Sequence, residues 1–81
     1  MRPGYYIEME IEGTAETHKI VFDYIPRKGD VLVIDFYGDE IIRYRVKEVI
    51  ADITLMRGAS LGPYIVPTMT NYRVIVEDMS G

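Results

Sequence analysis

Side chains that could carry out catalysis are scarce in this chain of 81 residues. It has no cysteine, which removes thiolate nucleophiles and thiolate metal ligands. Its one histidine, His18, has no evident partner with which to act as a general base. Ser60 and Ser80 do not lie in the structural context of a nucleophile elbow. We therefore predict that the protein is not an enzyme and that it has no catalytic residues, no metal site and no cofactor.

Three carboxylates recur at every second position near the N-terminus, in Glu8, Glu10 and Glu12. If this segment is a strand, the three side chains share one face, and carboxylate oxygens in such a row could bind Ca²⁺ or Mg²⁺. The same alternation is typical of any strand that has one face in water. We interpret the row as a solvated strand face.

A row of three basic side chains, Arg43, Arg45 and Lys47, is the candidate site for nucleic acid. On a barrel surface such a row could follow a phosphate backbone. The alternative is that it pairs with the acidic row on a neighbouring strand, since opposite charges across a strand pair attract. The formal net charge of -4 disfavours a general nucleic-acid binder. Which strand lies beside the basic row decides between these two possibilities.

Residues 58–72 are the best candidate for a protein-binding site. The segment contains no charged side chain, two glycines and two prolines, and we expect it to be a long loop. Its large apolar side chains would form an exposed patch that a partner protein or a second subunit could cover. The alternative is that the loop folds over an open end of a barrel and belongs to the core. The predicted protein-binding residues are Leu61, Tyr64, Ile65, Val66 and Met69.

Alternating apolar residues and frequent β-branched residues predict the strands that position these groups. Two β-rich runs within residues 31–50 flank Gly38-Asp39 and predict an antiparallel hairpin. A glycine in the first turn position is typical of a type II′ turn. Further strands are predicted over residues 5–12, 17–25, 51–57 and 71–77.

The second arm of this hairpin loses its period of two after Val46, because the next apolar residue is Val49. One extra residue in the strand would explain the change, so we predict a β-bulge near Lys47 and Glu48. A helix over residues 40–57 is the weaker alternative, because β-branched residues are frequent there and no helix cap precedes them.

The fold prediction rests on the order of these elements. Pro26 to Asp30 predicts a turn, since proline presets φ and Gly29 tolerates a positive one. This turn, the strand after it, a tight turn and the strand from Tyr44 to Val49 resemble a succession that recurs in SH3-like barrels. We therefore predict an all-β fold, either a small SH3-like barrel or a strongly curved antiparallel sheet of five to six strands. An OB-like barrel is the alternative.

Length and composition limit the remaining possibilities. A chain of this size holds one core, so we predict a single domain over residues 1–81. No segment approaches the roughly 18 to 20 apolar residues of a membrane span, so we expect no membrane insertion and a cytoplasmic location. The predicted function is that of a non-enzymatic binding or assembly module that contacts a protein partner or a second copy of itself. Binding of nucleic acid through the basic row is the alternative.

Overall fold

The computed structural model of the chain describes residues 4–80, apart from the side chain of Ala59. These residues form five strands and no helix. The predicted all-β class is therefore confirmed, and the helix considered for residues 40–57 is wrong. The strands are β1 (Tyr5–Ile11), β2 (Thr17–Phe22), β3 (Val31–Phe36), β4 (Glu40–Leu61) and β5 (Tyr64–Asp78).

All five strands belong to one sheet in the order β2-β1-β5-β4-β3. Three of the four strand pairs are antiparallel, β1 with β2, β3 with β4, and β4 with β5. In contrast, β1 and β5 run parallel, with Ile7 opposite Tyr72 and Ile11 opposite Val76. The prediction of a purely antiparallel sheet is therefore wrong at this central pair, which brings together the first and last strands of the chain.

The sheet curls but does not close. Its two edge strands, β2 and β3, approach each other where the rings of His18 and Phe36 lie 5.1 Å apart. Among the described residues no backbone pairing joins these strands, and a cavity of about 280 Å³ beside Ile20, Phe22 and Ile34 remains between them. The described part of the chain is therefore an open, curled sheet rather than a closed barrel of the SH3-like or OB-like kind.

The core lies on the concave face of this single sheet. Because residues 4–80 form one sheet and no second layer, only curling can remove these side chains from water. Tyr44 is at the centre and is 1% exposed. Burial, with smaller effects from Glu16, Asp78 and Glu40, raises the pKa of its hydroxyl above the usual value. The buried core comprises Ile7, Met9, Ile11, Leu32, Tyr44, Val46, Val74 and Val76.

The predicted turn at Pro26 to Asp30 is present and is tied to the sheet. Pro26 is buried, and Gly29 has a φ of 94°. The backbone N–H of Arg27 donates to the Asp30 carboxylate at 2.9 Å. Backbone hydrogen bonds of 2.8 Å then join Gly29 and Asp30 to Val46 of β4. This turn therefore fixes how the chain enters β3.

The predicted hairpin between β3 and β4 is confirmed, although its turn differs from the expected type. Tyr37 and Gly38 both have positive φ, 60° and 79°. Two successive positive values are typical of type I′, whereas type II′ requires only the first. The turn closes with a 3.0 Å hydrogen bond from the Asp39 N–H to the Phe36 carbonyl.

The predicted bulge is confirmed at Lys47. Val46 lies opposite Val76, but the next pair is Glu48 with Ile75, so Lys47 is the extra residue. Because of it, Val46 and Val49 both point to the concave face although they are three positions apart.

The predicted loop at residues 58–72 is wrong. These residues form the end of a long hairpin in which β4 runs to Leu61 and β5 begins at Tyr64. The two-residue turn has Gly62 at a φ of 61°, followed by Pro63. Glycine first and proline second fit a type II′ turn. The pattern of glycines and prolines was misleading because it marks this turn and the irregular pairing near it, and not a long connection.

Candidate functional site

The outer half of the β4–β5 hairpin projects beyond the rest of the sheet. We define it as the arm, residues 53–70, beginning at the pair Ile53 and Thr70. β3 ends its pairing with β4 at Arg45, and β1 pairs with β5 only from Tyr72 onward. The arm is therefore a two-stranded ribbon with no neighbouring strand on either side, in a molecule that is 50 Å long and 21 Å thick.

The five predicted protein-binding residues all lie on the arm and are all exposed. Tyr64 and Leu61 flank the turn and are more than 70% exposed, and Val66 is the least exposed at 37%. Tyr64, Ile65 and Val66 are consecutive, so they alternate between the two faces of the ribbon. The alternative that this segment covers an end of the core is wrong.

Three large apolar residues of the arm escaped the sequence analysis because they precede the uncharged segment 58–72. Ile53, Leu55 and Met56 are each more than half exposed. The sequence predicts a strand over residues 51–57 but not the strand that pairs with it, so the burial of these side chains could not be inferred. The signal that would have found them is the long β-rich run from residue 40 to 57, which continues well past the last residue that β3 can pair.

The arm is also distinct in charge. Arg57 is the only charged residue between positions 53 and 70, and all 13 acidic residues of the chain lie outside it. Two polar side chains in or beside the arm have hydrogen-bond acceptors within a few residues or on the paired strand. The Thr68 hydroxyl donates to the Thr54 carbonyl at 3.2 Å, and the Asn71 amide donates to the Met69 sulfur at 3.2 Å. The arm therefore presents apolar surface with very little charge.

A cluster of charges marks the base of the arm. The guanidinium of Arg73 donates to Asp52 at 2.8 Å and lies 3.5 Å from Glu10. The hydrogen bond and the charge of Asp52 raise the pKa of Arg73, and Glu10 adds to the effect. Beside this cluster is an open groove of about 380 Å³, whose lining also includes Tyr6 and Lys19.

The basic and acidic rows are not neighbours. β5 lies between β1 and β4, so the predicted pairing of the two rows is wrong. Instead, Glu77 of β5 lies 3.5 Å from Arg45 and 3.7 Å from Lys47. The charges of Arg45 and Lys47, two of the three possible nucleic-acid-binding residues, are therefore partly neutralised within the sheet. Arg43, two residues before Arg45 on the same strand, is exposed.

His18 has local partners that the sequence did not reveal. Its Nε2 lies 2.8 Å from a carboxylate oxygen of Glu16, and its ring contacts Phe36 across the opening of the sheet. Half-buried in this way, the ring holds the edges of the sheet together rather than lining a catalytic cleft.

Ser60 lies at the centre of the sequence Gly58-Ala59-Ser60-Leu61-Gly62. This is the Gly-x-Ser-x-Gly spacing of nucleophile elbows, which the sequence analysis passed over. In such an elbow the serine lies on a sharp turn between a strand and a helix. Here Ser60 is within β4, opposite Ile65 of the neighbouring strand, and the described chain contains no helix. The spacing therefore has no catalytic geometry around it.

Within residues 4–80, no group of three or more histidine or carboxylate side chains is arranged to hold a metal ion. The same residues include no helix with the length and apolar content needed to cross a membrane. Comparisons with protein-family models, curated proteins and solved structures find no match to this chain.

Proposed function

We propose that the protein is a non-enzymatic assembly module that binds another protein chain through its arm. The observation that carries this proposal is the exposure of eight large apolar side chains on a ribbon that has no neighbouring strand. Such a ribbon is at best marginally stable in water by itself, since isolated two-stranded hairpins usually need a third strand or a packed face. A partner that covers the arm would supply both.

The size of the apolar surface also supports a protein partner. The eight side chains are 37% to 74% exposed, with Val66 the lowest and Tyr64 the highest. Together they present on the order of 1,000 Å², divided between the two faces of the ribbon, and one partner contributes about 800 Å² to an interface of standard size. The aromatic ring of Tyr64 and the two methionines at positions 56 and 69 are of the types enriched in such interfaces.

The test compares two isoleucines of similar exposure that lie in different regions of the sheet. Ile65 of the arm is 61% exposed, and Ile41 at the start of β4 is 68% exposed. We expect Ile65→Asp to abolish association, measured as solution mass by light scattering and as the protein that co-purifies in stoichiometric amount. Ile41→Asp should leave both readouts unchanged.

A second matched pair removes apolar area without adding charge. Tyr64 of the arm and Tyr6 of the groove at its base are 74% and 76% exposed. We expect Tyr64→Ala to weaken association and Tyr6→Ala to have no effect, with the circular dichroism spectrum of both variants unchanged. Equal losses from the arm and control variants, or no association by the unaltered chain with itself or any other protein, would contradict the proposed function.

A further inference from the structure

We infer that the arm binds the arm of a second copy of this chain, and that the two arms lie antiparallel across a two-fold axis. This inference rests on the function proposed above and names the partner.

Two concave surfaces formed by the described residues are too small to receive an arm. The cavity between β2 and β3 measures about 280 Å³, and the groove beside Arg73 about 380 Å³. These volumes are at the lower end of small-molecule sites and cannot hold a ribbon with eight large apolar side chains. If a second copy is the partner, the matching surface is therefore its own arm.

Two arms in contact supply each other with a neighbouring strand and with apolar surface to cover. Each ribbon of two strands becomes half of a four-stranded layer, which passes the three-strand minimum for independent stability. The outer edge of β4 beyond Arg45 is not paired with β3, and from Ile53 to Met56 it has no proline and no charged residue. Natural edge strands usually carry such residues to prevent association, so this edge is suited to contact with another chain.

The distribution of charge decides the orientation. Outside the arm the chain has eight basic and 13 acidic residues, a net charge of -5, whereas the arm has only Arg57. Two parallel arms would place the two acidic sheets side by side, where like charges repel. Antiparallel arms place them at opposite ends of the dimer, separated by the length of the arm and by far more than the Debye length of about 8 Å at physiological salt. Contact is thus confined to the region with almost no charge.

The lack of cysteine allows a direct test of this arrangement on the full chain. Thr68→Cys places a single thiol near the middle of the arm, and Ser60→Cys places one near its tip. Both changes are nearly isosteric at exposed positions. Thr17→Cys, on an exposed position of β2, is the control. A short flexible bismaleimide is the probe, because it joins nearby thiols while tolerating a small offset between them.

We expect the unaltered chain to have twice its monomer mass of 9.3 kDa in light scattering. Thr68→Cys should give a high yield of cross-linked dimer, and Ser60→Cys and Thr17→Cys should give little, because the axis lies near mid-arm. Ile65→Asp in the Thr68→Cys chain should remove the product and raise the dissociation constant about 100-fold or more.

Equal cross-linking of Thr68→Cys and Ser60→Cys would overturn the antiparallel orientation, and equal cross-linking of Thr17→Cys would overturn the arm as the contact. A monomer that binds a different protein in an arm-dependent manner would overturn self-association and leave the proposed function standing. A monomer without any arm-dependent partner would overturn both.

Discussion

The two halves of the β4–β5 hairpin share a backbone conformation and differ in almost every other property. In the inner half, Tyr44 is 1% exposed and Val74 is fully buried, whereas in the arm Tyr64 is 74% exposed. The inner half has β1 and β3 as neighbours, and the arm has none. Burial in this protein therefore depends on how many strands lie alongside a residue and on the curl of the sheet, and not on residue type.

Truncating one tyrosine in each region should give the largest contrast. We expect Tyr44→Ala to lower the free energy of unfolding by roughly 3–5 kcal/mol, as for other buried aromatic side chains. Tyr64→Ala should change it by less than about 0.5 kcal/mol, because the ring is exposed. Urea unfolding of both variants in the Ile65→Asp chain would measure the difference without a contribution from association. A loss of more than about 1 kcal/mol from Tyr64→Ala would mean that the arm supports the core.

Shortening the arm tests whether the curled sheet folds without it. Replacing residues 54–69 by Asn-Gly would join Ile53 to Thr70 through a two-residue type I′ turn, since these residues are already partners. No arm residue is part of the buried core, so we expect cooperative unfolding with a stability change below about 1 kcal/mol. The measurement is thermal unfolding followed by circular dichroism. A shortened chain that is unfolded or non-cooperative would refute the separation of the two regions.

The smallest expected effect concerns pH and is confined to the inner region. The carboxylate of Asp78 accepts hydrogen bonds from the hydroxyl and, at 2.8 Å, from the N–H of Ser80. These bonds lower the pKa of Asp78 below its usual value. The associated stability is therefore present above the pKa of the unfolded state and is lost as the pH falls through the lower, folded pKa.

We expect Asp78→Asn to remove this slight acid dependence of the melting temperature, measured at a series of pH values below about 5. The arm contains no carboxylate, so the shortened chain should keep the same acid dependence as the full chain. A different profile after shortening would reveal electrostatic coupling between the regions.

The sequence predicted the elements better than their arrangement. Local signals identified the strand at Tyr5, the turn at Gly29 and the bulge at Lys47, because each depends on a few adjacent residues. The order of strands was not accessible, because the position of β5 between β1 and β4 depends on contacts between distant parts of the chain. For that reason Glu77, and not Glu8, Glu10 or Glu12, lies beside the basic row.

The candidate site was identified in part. The predicted residues of the arm, including Tyr64 and Ile65, were selected because the segment lacks charge, and they are exposed. The prediction that they lie on a loop is wrong, because Gly62, Pro63 and Pro67 are typical of loops but here lie in a hairpin. Apolar alternation has the same appearance whether a strand is covered by its own chain or projects from it, so composition alone could not show that the arm stands apart.

The bulge at Lys47 determines the direction of the rest of β4. From Glu48, opposite Ile75, to Leu61, opposite Tyr64, the strand pair extends about 36 Å at ~3.3 Å per residue of β5. A change of about 10° in its direction at the bulge would therefore move the tip by roughly 6 Å. A single inserted residue inside the sheet therefore sets the direction in which the arm projects. Sequence changes at this one position could redirect the arm toward a different point on its partner while every residue of the contact surface stays the same.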